Sequence, residues 1–237
     1  MEKLFEEITA KFNKLSFNEE RHEYTVDTVK LDGSVSSRID KFVDKVDFHA
    51  IAYQMAKVYN MPPEDIISQW DKERDDACDT GNRVHLFGEK YPYDRTMIPS
   101  CGQEKAVVKF WNDLPPHIVP ACLELRMYHL FYMFAGTSDI LLYNTIDKVF
   151  IIADYKTNKD LFKNYKKKNL KFPFQRLLDS PFNKYQIQLS FYQLLFEQTG
   201  YKVASRKIVW LLKTGEYVMY DTEDLTKELL HDLEKQN

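Results

Sequence analysis

Glycine, cysteine and long apolar runs are all scarce in this chain of 237 residues, and each scarcity excludes a class of protein. Seven glycines beside an aromatic content of 14% are typical of a globular chain rather than a disordered one. The three cysteines, Cys78, Cys101 and Cys122, are odd in number and widely spaced, which suits neither a disulfide framework nor a zinc or iron–sulfur site. We therefore expect buried thiols in a reducing compartment. No glycine-rich phosphate loop with Lys-Ser or Lys-Thr occurs, so no ATP-driven helicase is predicted.

No apolar run is long enough to span a bilayer, and the first residues lack the pattern of a signal peptide. We therefore expect a cytoplasmic protein with no membrane partner. The abundance of Lys, Asn, Phe and Tyr hints at an AT-rich genome and favours a bacterial or phage-infected cell. The net charge of −3 does not by itself indicate a nucleic-acid partner, so local charge is more informative.

Hydrophobic periodicity and turn residues predict a helical N-terminal half followed by a strand-rich block. A strand pair turning near Asp32-Gly33 and a helix capped within Ser34–Ser37 are expected after the first helix. The predicted helices are 2–15, one from about residue 38, 48–59, 63–78, 82–89, 103–113, 184–199 and a C-terminal one, and the predicted strands lie in 17–26, 121–157, 207–212 and 217–220. This order predicts a mixed α/β (α+β) fold, in which a β-hairpin and helical region (1–115) packs on a core (116–237) as one compact domain.

One predicted β-hairpin carries two acids and a lysine at its open end. If the four residues after Asn144 form the loop, Asn144 pairs with Val149, and the same register sets Asp139 opposite Asp154. Directly opposed residues have Cβ atoms roughly 4.5–5.5 Å apart, near enough for two carboxylates to hold one cation. Lys156 lies on the same face as Asp154 because side chains alternate along a strand. The hairpin therefore predicts a metal-dependent hydrolytic site.

Two helical pairs are predicted to join this hairpin. His85 and Glu89 are four residues apart and share a helix face, and imidazole is a common ligand of divalent metals. Gln188 and Tyr192 also share a face, and their amide and phenol supply hydrogen bonds without adding charge. Both pairs could therefore contribute to one site.

A basic connector over residues 158–180 interleaves lysines with aromatic side chains that could stack on bases. This mixture is typical of proteins that bind single-stranded nucleic acid, where stacking contributes about 1–3 kcal/mol per base. The basic residues are Lys159, Lys163, Lys166, Lys167, Lys168, Lys171 and Arg176, and the aromatic ones are Phe162, Tyr165, Phe172 and Phe174.

Each feature also has a structural interpretation. An Asp-X-Lys on a strand is more often a surface salt bridge, Glu89 could simply pair with Lys90 or Arg83, and the lysine run could be a solvated loop. The remaining histidines are expected to be solvated or core residues: His22, His49, His117, His129 and His231. The functional interpretation is favoured because the features occur together, in a workable order, with two of them aligned by one hairpin.

Together these residues resemble the PD-(D/E)XK nucleases of the RecB type. The matching segments are Gly81-Asn-Arg-Val-His85, Gly136-Thr-Ser-Asp139, Asp154-Tyr-Lys156 and Gln188-Leu-Ser-Phe-Tyr192. The resemblance spans roughly residues 30–212, and within the family the chain is most similar to the mitochondrial genome maintenance exonuclease and related phage proteins. That similarity extends to Thr157 and to the Asp-Ser-Pro-Phe-Asn segment before Gln188. Unlike the CRISPR-associated RecB-like nucleases, the chain lacks four cysteines for an iron–sulfur cluster.

The resemblance implies one or two Mg²⁺ or Mn²⁺ ions, held by His85, Asp139, Asp154 and the backbone carbonyl of Tyr155. Lys156 would orient the attacking water and offset charge on the phosphate. Gln188 and Tyr192 would position the phosphate and the DNA strand. Glu89 and Glu124 are expected in an outer position around this site.

The implied function is an ATP-independent, metal-dependent DNA exonuclease that prefers single-stranded ends and serves DNA recombination or repair. Two alternatives stay open: a structure-specific or restriction-type endonuclease of the same fold, and a catalytically silent nucleic-acid-binding protein. A protein–protein adaptor would leave the connector lysines unexplained. The sequence does not decide the oligomeric state, although a monomer is compatible with it.

Overall fold

The computed structural model describes residues 1–18, 20–21, 23–164 and 167–236. Predictions made for His22, Tyr165 and Lys166 lie outside those ranges. Within them the chain has a mixed α/β fold with an open mixed sheet, as predicted. No helix in these ranges combines the length and the apolar character needed to cross a membrane.

Helices dominate the first half of the described chain and strands the second. The helices are α1 (Glu2–Ala10), α2 (Val35–Ile39), α3 (Phe48–Tyr59), α4 (Pro63–Lys90), α5 (Gly102–Asp113), α6 (Pro181–Glu197) and α7 (Thr226–Gln236). The strands are β1 (Leu15–Asn18), β2 (Glu23–Val26), β3 (Val29–Lys30), β4 (Gly33–Ser34), β5 (Ile118–His129), β6 (Phe134–Asn144), β7 (Val149–Lys156), β8 (Val203–Leu211) and β9 (Tyr217–Asp221).

A six-stranded sheet carries the acids and the lysine predicted to be functional. Strands β5 to β9 lie side by side in chain order, and the short β4 pairs with the N-terminal end of β6. Neighbours are antiparallel except β7–β8 and β4–β6, which are parallel. A parallel neighbour requires a crossover, and α6 lies in the one that joins β7 to β8. Strands β1 to β3 form a separate antiparallel sheet.

Two apolar cores cover opposite faces of the large sheet. On β7, Ile152 belongs to a core with α6 and α7, whereas Ala153 and Tyr155 belong to a core with α4 and α5. Because both faces are covered, the apolar residues of β7 are nearly continuous rather than alternating. Val84 and Phe87 attach α4 to the second core, and this contact brings the helix that carries His85 against the sheet.

The hairpin register, the helix over 48–59 and a helix cap within Ser34–Ser37 are confirmed, but the capped helix begins at Val35 rather than near residue 38. The helix break predicted at Thr80-Gly81 is wrong, because α4 is continuous through both residues. A glycine inside a helix lowers helix stability by only about 1 kcal/mol relative to alanine. The burial of the Val84 and Phe87 side chains stabilises the helix by more than that amount.

Two N-terminal boundaries differ from the prediction. Helix α1 ends at Ala10 instead of residue 15, and Leu15 opens β1. The turn predicted near Asp32-Gly33 is also wrong, because the chain turns between β2 and β3 at Asp27, whose φ is 52°. Aspartate tolerates this left-handed conformation better than most residues, so it could replace the expected glycine there.

Helix α4 approaches β7 most tightly at a glycine. A Cβ atom at Gly88 would lie 2.5 Å from Cε2 of Tyr155, whereas one at Gly81 would lie 3.8 Å from Oγ1 of Thr157. We expect Gly88→Ala to lower the free energy of unfolding by about 1–3 kcal/mol through overpacking. Gly81→Ala, on the same helix, should be neutral or stabilising by up to about 1 kcal/mol. Urea denaturation measures both variants, and equal losses would contradict this interpretation.

Candidate active site

Asp139 joins three elements of the fold. Its Oδ2 atom accepts a hydrogen bond from the backbone amide of Tyr155 at 2.9 Å and lies 3.2 Å from Nδ1 of His85. Regular pairing of the hairpin ends at Ile140 and Ala153, one position before the two acids. The carboxylate of Asp139 therefore connects β6 to β7 and to α4. The phenol of Tyr155 instead accepts a hydrogen bond from Trp111 inside the core.

Asp154 and Lys156 form a nearly buried ion pair. Both side chains extend from the same face of β7, and only 2% and 12% of their surfaces are exposed. The Lys156 Nζ atom also lies 4.4 Å from the ring centroid of Tyr185, in a cation–π contact. The ammonium is therefore held between a carboxylate and an aromatic face.

Glu124 lies closer to the site than the sequence suggested. One ligand atom each from His85, Glu124 and Asp139 lie within 4.8 Å of one another. The pairs Leu123–Ile140 and Leu125–Ser138 flank Glu124 and Asp139 on adjacent strands. Glu124 also has a left-handed backbone, with φ of 51°. The register between β5 and β6 shifts between Pro120 and Cys122, and the shifted register places Glu124 beside Asp139. The sequence does not show that shift, so the position of Glu124 could not be predicted from it.

Glu89 lies on α4 one turn after His85. It lines a groove of about 440 Å³ together with His85 and Glu124. The alternative interpretation, an ion pair with Arg83, has less support, since the Arg83 guanidinium lies 3.5 Å from Glu104 instead. Glu89 therefore adds negative charge to the rim of the site.

The acids and bases of the site alter one another's ionisation. Burial disfavours the imidazolium, but the charge of Asp139 and the hydrogen bond to it raise the pKa of His85 to about 9. Burial opposes ionisation of Asp139, yet the cations of His85 and Lys156 hold its pKa below the ordinary value. Burial also opposes the Lys156 ammonium, but Asp154 and Asp139 raise its pKa. The His85 and Lys156 cations therefore face Asp139 at neutral pH.

The other two carboxyl groups retain protons more readily. Burial and the charge of Asp139 raise the pKa of Glu124 to about 8. The same two causes outweigh the attraction of Lys156 and raise the pKa of Asp154 to about 6. The site thus contains more carboxyl groups than its two cations can neutralise.

Gln188 and Tyr192 form the neutral side of the site. The Gln188 amide donates to the Tyr192 hydroxyl at 2.8 Å. Burial, together with the charges of Asp154 and Asp139, raises the pKa of Tyr192 well above its ordinary value, so the phenol stays protonated. A Cβ at Gly136 would lie 2.9 Å from Cε1 of Tyr192, so the glycine at this position allows α6 to approach β6.

The basic connector is partly engaged with carboxylates. Lys168 and Lys171 pair with Asp44, and Arg176 pairs with Glu223 and Glu228. Lys159, Lys163 and Lys167 are exposed. The expectation that Phe174 could stack on bases is wrong, because Phe174 is fully buried against Phe42.

A scan of the chain against protein-family models finds no match, and a search of curated proteins finds no relative. Function is therefore inferred from the chemistry of the site.

The raised pKa of His85 predicts a pH dependence of stability in the absence of metal. The pKa of His85 is about 9 in the folded protein and about 6.5 in the unfolded chain. Protonation of His85 therefore stabilises the fold fully below pH 6.5, and this stabilisation is lost as the pH rises through 9. We expect the free energy of unfolding in EDTA to fall between pH 6.5 and 9, with His85 accounting for a part of the order of 1–3 kcal/mol. Urea titrations at both pH values measure this decrease in the free energy of unfolding.

The decrease should be smaller in His85→Ala but unchanged in His49→Ala, which replaces an exposed histidine on α3. An equal fall in all three proteins would assign the pH dependence elsewhere.

Proposed function

We propose that this protein is a metal-dependent DNA nuclease of the PD-(D/E)XK type that acts without ATP and prefers single-stranded ends. One observation carries the proposal: Asp139, the Asp154–Lys156 pair and His85, separate in sequence, meet at the open end of one hairpin. The mixed sheet with helices on both faces supports it, because the resemblance implies such a core.

The donor set fits a hard divalent cation. Carboxylate oxygens suit Mg²⁺, and an added imidazole is compatible with Mn²⁺. His85, Glu124 and Asp139 would hold the ion, with Asp154 beside them, and the imidazolium of His85 and the carboxyl of Glu124 would give up their protons as the ion binds. The proton retained by Glu124 indicates that the site lacks positive charge, which a cation would supply. When bound, such an ion polarises a phosphate and lowers the pKa of a bound water.

The side chains around the donors have separate roles in this proposal. Lys156, whose pKa is raised, stays charged and can stabilise negative charge that develops on the phosphate. Gln188 and Tyr192 can orient the phosphate through neutral hydrogen bonds. Asp139 holds the His85 ring and the Tyr155 amide, and so fixes α4 against the hairpin.

Digestion of end-labelled DNA tests the proposal. Linear single strands, linear duplex and circular single strands are incubated with Mg²⁺, Mn²⁺ or EDTA. We expect metal-dependent loss of linear single strands while the circles survive. Cut circles would indicate an endonuclease, and bound but uncut DNA would indicate a binding protein. Lys213→Ala, which removes an exposed lysine in the β8–β9 turn, should digest as well as the unmodified protein.

A further inference from the structure

We propose that the exposed ring of Phe162 is a base-stacking subsite for single-stranded DNA on the approach to the candidate active site. This inference rests on the proposed function and deepens it, because it names a contact that selects unpaired bases. A partly exposed aromatic ring on a protein surface offers a π-face on which any base can stack.

Phe162 is exposed yet held in place. The residue is 48% exposed, while its ring centroid lies 5.0 Å from that of Phe182 and 5.3 Å from that of Tyr220. Two contacts hold the backbone of Phe162. The Asp160 carboxylate accepts a hydrogen bond from the Phe162 amide at 2.8 Å, and the neighbouring Leu161 is fully buried. A ring immobilised in this way loses little conformational entropy when a base stacks on it.

The ring is connected to the site through α6. Phe182 lies three residues before Tyr185, so the two share a helix face. The Lys156 Nζ atom lies 4.4 Å from the ring centroid of Tyr185. The Tyr185 hydroxyl donates a hydrogen bond to Asn158 Oδ1 at 2.7 Å. Phe182, which contacts Phe162, and Tyr185, which contacts Lys156, therefore lie about one turn apart on α6, and this places Phe162 on the side of the site that holds the Asp154–Lys156 pair.

Charge around the ring favours a nucleic-acid strand. Lys159 and Lys163, three residues before and one residue after Phe162, are both exposed, so this part of the chain offers positive charge to a phosphate backbone. Phe131 lies outside the connector, in the turn between β5 and β6; it is 71% exposed, and its ring centroid lies 5.0 Å from that of Tyr132. Phe131 therefore serves as a control for the loss of an exposed phenylalanine ring.

Fluorescence anisotropy of a labelled oligothymidylate, with the whole protein in EDTA to prevent metal-dependent cleavage, tests the subsite. Phe162→Ala is expected to raise Kd about 5- to 150-fold, the range that loss of one stacked base produces. Phe162→Trp should restore binding, and Phe131→Ala should stay within about twofold of the unmodified protein. Circular dichroism checks that each variant is folded. Unchanged binding by a folded Phe162→Ala protein would overturn the proposal.

An abasic scan separates stacking from a purely structural effect. One abasic nucleotide is placed in turn at each position of the oligonucleotide. At the stacked position the lesion should weaken binding by the unmodified protein but cause no additional loss in Phe162→Ala. Additive losses at every position would overturn the stacking assignment. Failure of the proposed nuclease function would appear separately, as no cleavage with metal while this Phe162-dependent binding persists.

Discussion

Replacing Lys156 by alanine is expected to reduce DNA cleavage at saturating metal by about 10²- to 10³-fold. The reason is that Lys156 carries the ammonium beside the two acids, and removal of one preorganised charge-stabilising group typically costs about 10²–10³-fold. The loss should appear in kcat rather than in the Kd for DNA, because the charge that the lysine offsets develops only in the transition state.

The Lys156→Ala protein should still fold. Asp154 loses its partner, but its pKa is already about 6, so it can take up a proton instead of remaining an unpaired buried charge. Thermal denaturation and circular dichroism check this point. Lys213→Ala is the matched control, and turnover retained in a folded Lys156→Ala protein would remove the lysine from the mechanism.

Replacing Asp139 by asparagine is expected to weaken binding of Mn²⁺ more than about 100-fold. The amide oxygen can still accept the Tyr155 N–H, so the strand contact survives, but the charge that faces His85 is lost. The pKa of His85 should fall toward its ordinary value for the same reason. Metal-dependent stabilisation provides a readout that does not need activity: at 100 times Kd a bound ion adds about 2.7 kcal/mol to the free energy of unfolding.

Urea titrations with and without Mn²⁺ measure this stabilisation for a series of variants. His85→Ala and Glu124→Gln should each reduce it, and His85→Ala should affect metal dependence more than DNA affinity. Asp147→Asn, in the loop at the opposite end of the same hairpin, is the control and should keep the full effect. If Asp139→Asn were stabilised by Mn²⁺ as much as the unmodified protein, the ion would not bind at this cluster.

Local information was sufficient for the hairpin and for most helices. Asn144 pairs with Val149 because a four-residue turn separates two apolar runs. The runs and the turn follow one another directly along the chain, so local sequence is enough to predict the pairing. The pairs Gln188–Tyr192 and Asp154–Lys156 likewise follow from helix and strand periodicity alone. The prediction that α4 breaks at Gly81 was wrong because it considered the glycine alone. The contact of Val84 with the core, which the local sequence does not show, keeps the helix continuous.

The sequence by itself determined which chemical groups could meet: two acids and a lysine on one hairpin, a histidine on a helix and an amide–phenol pair on another. Tertiary structure decided how they meet. It placed Glu124 beside Asp139 through a shifted strand register, buried Phe174 and left Phe162 exposed. Those outcomes depend on contacts between residues far apart in the chain, whose relative burial and charge no local pattern encodes.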